Sequence, residues 1–242
     1  MIPRLYCPDP LPSGGFHELS ADAAHHAVRV LRLGEGDGLR LFDGRGGAWN
    51  ARIERLKPRV RVHLDGFDPE DLEPPLAVTL VQCLPAADKM DWIVQKAVEL
   101  GVAAIQPVAS RRSVVRLDGD RAQRRLQHWQ AVAVAACEQC GRNRVPIVSP
   151  LLDLPQYLAR AGGENARKLL LWPETPRRLR ELNAPAAPLV LLVGPEGGLE
   201  EGEQAAAQAA GFTPMGLGPR VLRTETAGLA ALAAIMSLWG DW

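Results

Sequence analysis

The second part of the chain alternates short apolar runs with stretches of helical period, and this alternation constrains the fold more than any other feature. The apolar runs are predicted strands at residues 76–84, 103–108, 168–172 and 189–193. The predicted helices lie at residues 90–100, 121–140, 200–210 and 225–239. Strands that are apolar on both faces and alternate with helices form parallel sheets covered on both sides. We therefore predict an α/β domain with a parallel sheet over residues 73–242.

The first part of the chain shows the pattern of short antiparallel strands instead. Residues 39–43 and 48–56 flank a glycine-rich turn, which predicts a hairpin, and residues 59–67 alternate between apolar and polar side chains. One helix is expected at residues 21–32, with Ser20 as its N-cap and Gly34 as its stop. The acidic, proline-containing stretch 68–75 is typical of a linker. These features predict a small β-barrel-like domain over residues 1–72.

Charge is balanced over the whole chain but clustered locally. There are 28 basic and 28 acidic residues, so there is no overall basic signature of nucleic-acid binding. Basic side chains nevertheless concentrate at residues 52–61 and 111–125. Each run alone is typical of a solvated face, whereas two runs on a neutral chain favour local contact with phosphates. Aromatic residues make up only 5%, which disfavours a base-stacking platform.

Cysteine and histidine placement gives no sign of a disulfide framework or a metal site. The 4 cysteines are scattered, which favours reduced thiols in the cytoplasm. Cys137 and Cys140 form a CxxC pair, but they lie on a predicted helix without a second pair nearby. His25 and His26 also lack a metal-binding context. No apolar run has the 18 or more residues of a membrane span, and the N-terminus has no apolar segment typical of a secretory signal.

A glycine turn follows the most apolar predicted strand and is the first candidate site. Leu189–Val193 leads directly into Gly194-Pro195-Glu196-Gly197-Gly198. Ligands of open parallel sheets bind beyond the carboxyl ends of the strands. Neither lysine, serine nor threonine occurs between Pro188 and Phe212, and Glu196, Glu200 and Glu201 disfavour a polyphosphate. The turn therefore favours a neutral or cationic ligand, unless it serves only as a tight strand-to-helix connection.

A second candidate loop, residues 215–228, precedes the last predicted helix. Gly216, Gly218 and Pro219 end a short strand, and Thr224 is the predicted cap of the helix. Small residues along that helix permit the close approach of another element. Two interpretations stay open for it, a core helix and a subunit interface.

Two motifs, GPEGGL and LGPRVLRTETA, at their spacing in this chain resemble those of a known family. The family consists of the SPOUT-fold methyltransferases that methylate N3 of a uridine in bacterial 16S ribosomal RNA. The segment HHAVRVLRLGEGDGLRLFDGRGG is similar to its PUA-like RNA-binding module, and KMDWIVQKAVELGVAAIQPVASRRS and CEQCGR are similar to its middle motifs. In one departure, Ala86 and Ala87 stand where the family has Lys-Gly.

The resemblance implies a PUA-like β-barrel followed by a SPOUT parallel-sheet domain with a C-terminal trefoil knot. It also implies a homodimer, S-adenosyl-L-methionine as cofactor and 16S rRNA of the small ribosomal subunit as substrate. A sulfonium cation without phosphates is compatible with glutamates beside its pocket. The implied cofactor residues are Leu171, Trp172, Glu174, Gly194, Glu196, Gly197, Gly198, Leu217, Gly218, Arg220, Leu222 and Arg223.

Methyl transfer to a uracil nitrogen requires alignment and removal of the N3 proton. Arg220 or Arg223 is the candidate stabiliser of the uracil anion, and Glu225 is a candidate base, although at a helix start it equally complements the helix dipole. The candidate RNA contacts are basic residues: Arg4, Arg29, Arg32, Lys89, Arg111, Arg112 and Arg142. Two other functions stay open. One is a related methyltransferase that acts on a ribose 2′-hydroxyl, and the other is a non-catalytic RNA-binding protein of ribosome assembly.

Replacement of one basic side chain tests the predicted RNA footprint. We expect Arg112→Ala to weaken RNA binding and to reduce the slope of log affinity against log salt by less than about one unit, because one phosphate contact is lost. Binding titrations at several salt concentrations measure this slope. An unchanged slope would remove Arg112 from the footprint.

Overall fold

The computed structural model describes residues 2–163 and 165–242, which divide into two compact units. The first unit contains residues 1–73 together with 134–145, and the second contains residues 74–133 and 146–242. The first of these segments ends one residue after the predicted boundary at residue 72, and residues 134–145, which lie within the predicted second domain, group with the first unit. Polar contacts explain this grouping: Asn143 Nδ2 donates to the Glu70 carbonyl at 2.8 Å, and Arg144 Nε to Asp71 Oδ2 at 3.1 Å.

The first unit is built on a sheet of five strands with the order β1-β3-β4-β5-β2. All neighbouring strands are antiparallel except β1 and β3, which are parallel. The strands are β1 (Arg4–Tyr6), β2 (Gly15–Glu18), β3 (Gly38–Phe42), β4 (Ala48–Arg55) and β5 (Arg61–Asp68). The predicted hairpin and the alternating strand are thus confirmed. Gly47, at φ +65°, is required in the hairpin, since a Cβ atom there would lie 2.3 Å from the Phe67 ring.

The helix of the first unit is shorter than predicted. The helix α1 (Ala21–His25) continues into a single π-helical segment, His26–Val30, and ends before Gly34. Ser20 is the N-cap, as predicted, and its side chain accepts from the Ala23 amide at 3.3 Å. The buried side chains of this helix and the sheet form one apolar core, which includes Leu5, Ala27, Leu41, Ile53 and Val62.

The second unit contains a parallel sheet with the path β12-β10-β11-β6-β7-β8, and β9 also pairs with β7. All of its strand pairs are parallel. The strands are β6 (Val78–Cys83), β7 (Ala104–Ala109), β8 (Ile147–Val148), β9 (Leu152–Asp153), β10 (Arg167–Leu171), β11 (Leu189–Val193) and β12 (Thr213–Met215). The helices that follow the first unit in sequence are α2 (Lys89–Glu99), α3 (Gly119–Cys140), α4 (Leu154–Ala161), α5 (Glu201–Ala209) and α6 (Thr224–Trp239). The last residues of α3, from residue 134 onward, group with the first unit.

The central strands are buried as their sequence predicts. Every residue of β11 is buried, and its register aligns Leu191 with Leu80 of β6 and with Leu169 of β10. Full burial of one such leucine contributes about 1.5–3 kcal/mol to the free energy of folding. Because neighbouring strands run in one direction, the loops after Cys83, Leu171 and Val193 emerge at the same edge of the sheet.

The helices α2 and α6 pack against each other beside this sheet. The buried residues of α2 follow the helical period at Met90, Ile93, Val94, Ala97 and Val98. The helix α6 packs against α2, β6 and β11. At Gly228 the helix lies directly against β6 and β11, since a Cβ atom there would be in van der Waals contact with Gln82 Oε1 and Val193 Cγ2, each at 3.4 Å.

The loop between β6 and α2 contains a left-handed residue other than glycine. Ala87 has φ +55° at the position where the resembling family carries glycine. Its neighbour Ala86 is not among the residues with positive φ. A left-handed conformation brings the Cβ atom of an L-residue too close to the following carbonyl oxygen.

Glycine at position 87 is expected to stabilise the protein. Ala87→Gly removes the Cβ clash, and after the entropy cost of glycine we expect a gain of about 0.5–1 kcal/mol in the free energy of unfolding. Ala86→Gly is the matched control, and we expect it to lose about 0.4–1 kcal/mol. Urea denaturation measures both values. A loss in both variants would show that Ala87 is not strained.

Candidate active site

The candidate site is built around the turn that follows β11. Gly198 N donates to the Pro195 carbonyl at 2.9 Å and closes the turn, and Gly198 has φ +69°. Glycine is favoured there because other L-residues are strained in this conformation. The turn then leads to α5, where Glu200 and Glu203 form a reciprocal capping box. Two of the acidic residues after the turn thus serve helix capping.

A cavity of about 530 Å³ lies at this edge of the sheet. Three loops line it, residues 170–174, 193–199 and 221–224, together with Arg112, Gln204 and Ala227. Nine of the predicted cofactor residues lie in its lining: Leu171, Trp172, Glu174, Gly194, Glu196, Gly197, Gly198, Leu222 and Arg223. Leu217, Gly218 and Arg220 are not part of that lining.

A buried hydroxyl joins three elements beneath the cavity. The Thr224 hydroxyl donates to the Gly194 carbonyl at 2.6 Å and accepts from Gln82 Nε2 at 2.9 Å. Gln82 is fully buried near the end of β6, and Thr224 is the first residue of α6. The expectation that Thr224 caps this helix is therefore wrong, since Arg223 occupies the N-cap and the hydroxyl is used by Gly194. The two hydrogen bonds that connect residues 82, 194 and 224 were not predicted from the sequence.

An ion-pair cluster flanks the cavity. Lys89 Nζ lies 2.9 Å from Glu196 Oε1 and 3.2 Å from Glu225 Oε2, and the Ala86 amide donates to Glu196 Oε1 at 3.0 Å. Burial disfavours the ionised form of Glu196, but the hydrogen bonds from Lys89 and Ala86 outweigh it and lower the pKa of this carboxyl. The pKa of Lys89 is raised, chiefly by its hydrogen bond to Glu196. Both partners are thus charged near neutral pH.

Arg112 belongs to the cavity wall. Its Nη1 donates to the Gly197 carbonyl at 2.8 Å, and a Cβ atom on Gly197 would lie 3.4 Å from Arg112 Cβ. The neighbouring Arg111 amide donates to Glu203 Oε1 at 2.8 Å. The loop after β7 is thereby fixed to the glycine turn, while the Arg111 and Arg112 side chains stay 77% and 52% exposed.

The other predicted RNA contacts divide into exposed and internal residues. Arg29 and Arg32 are exposed. Arg142 is only 5% exposed, and its Nε donates to Glu73 Oε2 at 3.1 Å, so the prediction that it contacts RNA is wrong. Arg4 also makes internal contacts, with Asn143 Oδ1 at 2.5 Å and with the Phe42 ring at 4.9 Å. Lys89 is held by two carboxylates, which argues for a structural role instead.

The candidate base and the cysteines also have defined surroundings. Glu225 does not line the cavity, and its carboxylate is directed to Lys89. Cys137 is buried, which raises its pKa to about 12, so its thiol stays protonated. Over residues 2–163 and 165–242 there is neither a group of acidic, histidine and cysteine side chains fit to hold a metal ion nor a helix with the length and apolarity to cross a membrane.

Removal of the Thr224 hydroxyl tests the contribution of its two hydrogen bonds, to the Gly194 carbonyl and from the Gln82 amide. We expect Thr224→Val to lower the free energy of unfolding by about 1–3 kcal/mol, because the Gly194 carbonyl loses its donor and the buried Gln82 amide loses one of its two acceptors, keeping only the Cys83 carbonyl. Thr226→Val is the matched control on an exposed position of the same helix, and it should change stability by less than about 0.5 kcal/mol. Urea denaturation compares the variants. Equal stabilities would contradict the role assigned to the hydroxyl.

Comparisons with known proteins agree with this architecture. A family model described as an RNA methyltransferase domain matches residues 72–236, and one described as an RNA methyltransferase PUA domain matches residues 19–64. A Bacillus subtilis protein named ribosomal RNA small subunit methyltransferase E is 34% identical over 90% of this chain and 88% of its own length.

Two solved structures share the whole fold. The ribosomal RNA small subunit methyltransferase E of Neisseria gonorrhoeae, bound to S-adenosyl methionine, is 43% identical, with a TM-score of 0.94 over 100% of this chain and 99% of the other. A Legionella pneumophila protein in complex with bound cofactor SAM is 35% identical, with a TM-score of 0.95 over 100% of both chains. The fold is thus a PUA-like unit combined with a SPOUT-class parallel-sheet unit. The chain belongs to the RNA methyltransferase family that includes the ribosomal RNA small subunit methyltransferase E proteins.

Proposed function

We propose that this protein is an S-adenosylmethionine-dependent methyltransferase that modifies N3 of a uridine in 16S rRNA of the small ribosomal subunit. The observation that carries the proposal is the cavity at the carboxyl edge of the parallel sheet, lined by the glycine turn. Family membership supports rRNA as the substrate, and the resemblance of GPEGGL and LGPRVLRTETA supports N3 chemistry.

The cavity lining fits S-adenosylmethionine. Glycine at positions 194, 197 and 198 places no side chain in the cavity, and the loops around Leu171 and Leu222 supply apolar surface. Residues 171–174, 194–198 and 222–223 would hold the cofactor. The lining contains neither lysine nor the phosphate-binding motif of a nucleotide triphosphate site. When bound, the cofactor supplies an electrophilic methyl group on a sulfonium cation.

Arg223 is the proposed stabiliser of the uracil anion. It is exposed, lines the cavity and occupies the N-cap of α6. A guanidinium beside the developing negative charge favours loss of the N3 proton. Arg220 is exposed outside the lining, so it is the weaker candidate. Glu225 is a weaker candidate as base, since Lys89 neutralises its carboxylate.

The assembly and the location of the reaction belong to the same proposal. Trp92 on α2 and Leu238 on α6 are 54% and 49% exposed, which supports a homodimer that covers these two helices. The family resemblance supports a trefoil knot in the C-terminal segment. A ribosomal substrate places the reaction in the bacterial cytoplasm.

Methyl transfer from labelled S-adenosylmethionine to small ribosomal subunits from cells that lack this protein tests the proposal. We expect label in N3-methyluridine at a single site after digestion to nucleosides. Label in a 2′-O-methylated nucleoside would replace the N3 assignment by ribose methylation. Absence of both label and cofactor binding would support a non-catalytic role in assembly.

Substitution of the two arginines tests the assigned chemistry. We expect Arg223→Ala to lower kcat by about 10²–10³-fold, since one preorganised stabilising group is lost. Arg220→Ala is the matched control from the same loop and should retain most of kcat. Single-turnover methyl transfer at saturating cofactor measures both. The reverse order of effects would assign the role to Arg220.

A further inference from the structure

A second cavity of about 470 Å³ lies in the second unit, outside the site described above. Its lining comes from the loop between β6 and α2 and from residues 115–129, which include the first half of α3. Leu84, Met90 and Trp129 provide a buried apolar floor. The cavity therefore combines an apolar surface with one face of a long helix.

Basic side chains form the wall of this cavity. Arg121, Arg124, Arg125 and His128 occupy one face of α3, because residues three, four and seven apart lie on the same side of a helix. Arg125 Nη2 lies 3.3 Å from Asp88 Oδ1. Arg121 and Arg124 are exposed, and no ion pair to a carboxylate is formed by either of them within the described part of the chain. Two guanidinium groups are thus available to an anionic partner.

Both acidic side chains of the lining, Asp88 and Asp91, have partners, and that of Asp88 is Arg125. Asp91 accepts a hydrogen bond from Trp129 Nε1 at 3.1 Å, and its other carboxylate oxygen lies 2.7 Å from His128 Nε2. The Asp91 carboxylate therefore links α2 to α3 through these two contacts. An anion at Arg121 and Arg124 would meet less repulsion than the number of carboxylates suggests.

The second cavity and the candidate active site share one loop. Leu84, Pro85, Ala87 and Asp88 line the second cavity, while the Ala86 amide between them donates to Glu196 of the glycine turn. A polymer that passes over this loop would contact both places.

We propose that this arginine groove, formed by Arg121, Arg124 and Arg125, holds the RNA strand next to the target nucleotide. Phosphates contact Arg121 and Arg124, and a ribose or base lies against the apolar floor. The inference rests on the proposed function, because it identifies the neighbouring segment of the same substrate. RNA is favoured over an acidic protein segment, since a nucleotide combines a phosphate with an apolar face and the loop leads to the methyl-transfer site.

The double variant Arg121→Ala/Arg124→Ala tests the groove. With a fragment of 16S rRNA and no cofactor, we expect the slope of log affinity against log salt to fall by about 1.4–1.8 units, because two phosphate contacts are lost. In methyl transfer, KM for the RNA should rise at least about fivefold, while kcat and the Kd for S-adenosylmethionine stay unchanged. Arg160→Ala/Arg180→Ala, which removes two exposed arginines of the same unit, controls for net charge and should leave the slope within about half a unit of the original.

Different outcomes separate this proposal from the proposed function. A slope and KM equal to those of the control pair would overturn the groove while methyl transfer stands. A reduced slope in the double variant, with no methyl transfer by the unchanged protein, would retain the groove and overturn the proposed function. Loss of self-association in sedimentation, with unchanged RNA affinity, would assign the groove to a second copy of the chain and overturn the RNA assignment.

Discussion

The hydroxyl of Thr224 is the contact on which the geometry of the site depends. It joins the Gly194 carbonyl, at the end of β11, to the Gln82 amide near the end of β6. Gln82 and Thr224 are separated by 142 residues in sequence, and both are buried. Because one hydroxyl makes two hydrogen bonds to the sheet edge in a buried environment, the first turn of α6 is fixed relative to that edge. The loop that contains Arg223 is thereby placed across from the glycine turn.

Most of the acidic side chains beside the cavity take part in ion pairs or helix capping. Lys89 engages Glu196 and Glu225, and Glu200 and Glu203 cap α5. Of the acidic residues that disfavour a polyphosphate, Glu196 is thus ion-paired and Glu200 is used in helix capping. A ligand with a sulfonium cation and no phosphate is consistent with this balance, as are backbone groups from the glycine turn. The same lysine, at the start of α2, joins the end of the loop between β6 and α2 to the glycine turn.

Elements with a clear period or a strong turn signal could be predicted from the sequence. The limits of β11 match the prediction, α6 begins one residue earlier than predicted, and α2 is shifted by one residue at each end. The helix α4 was not predicted, although Pro155 at its first turn and the spacing of Leu154, Leu158 and Ala161 would have indicated it. The strands β8 and β9 have two residues each, so they carry no period that a sequence pattern can reveal.

The site was predictable in its loops but not in its contacts. The turn at Gly194 was identified because it follows a buried strand and lacks phosphate-binding side chains. The role of Thr224 was missed, since an N-cap and a long-range hydrogen bond have the same local sequence signature. Arg142 was misassigned for a similar reason: its partner Glu73 lies 69 residues away, and a basic cluster does not show which of its members are buried.

A crystal structure of this protein with S-adenosylmethionine would test the central claim most directly, because that claim concerns where the methyl donor is held. We expect electron density for the cofactor between residues 171–174, 194–198 and 222–223, with Arg223 beside the methyl group. Cofactor bound elsewhere, or a cavity that stays closed by its own side chains at saturating cofactor, would contradict the account.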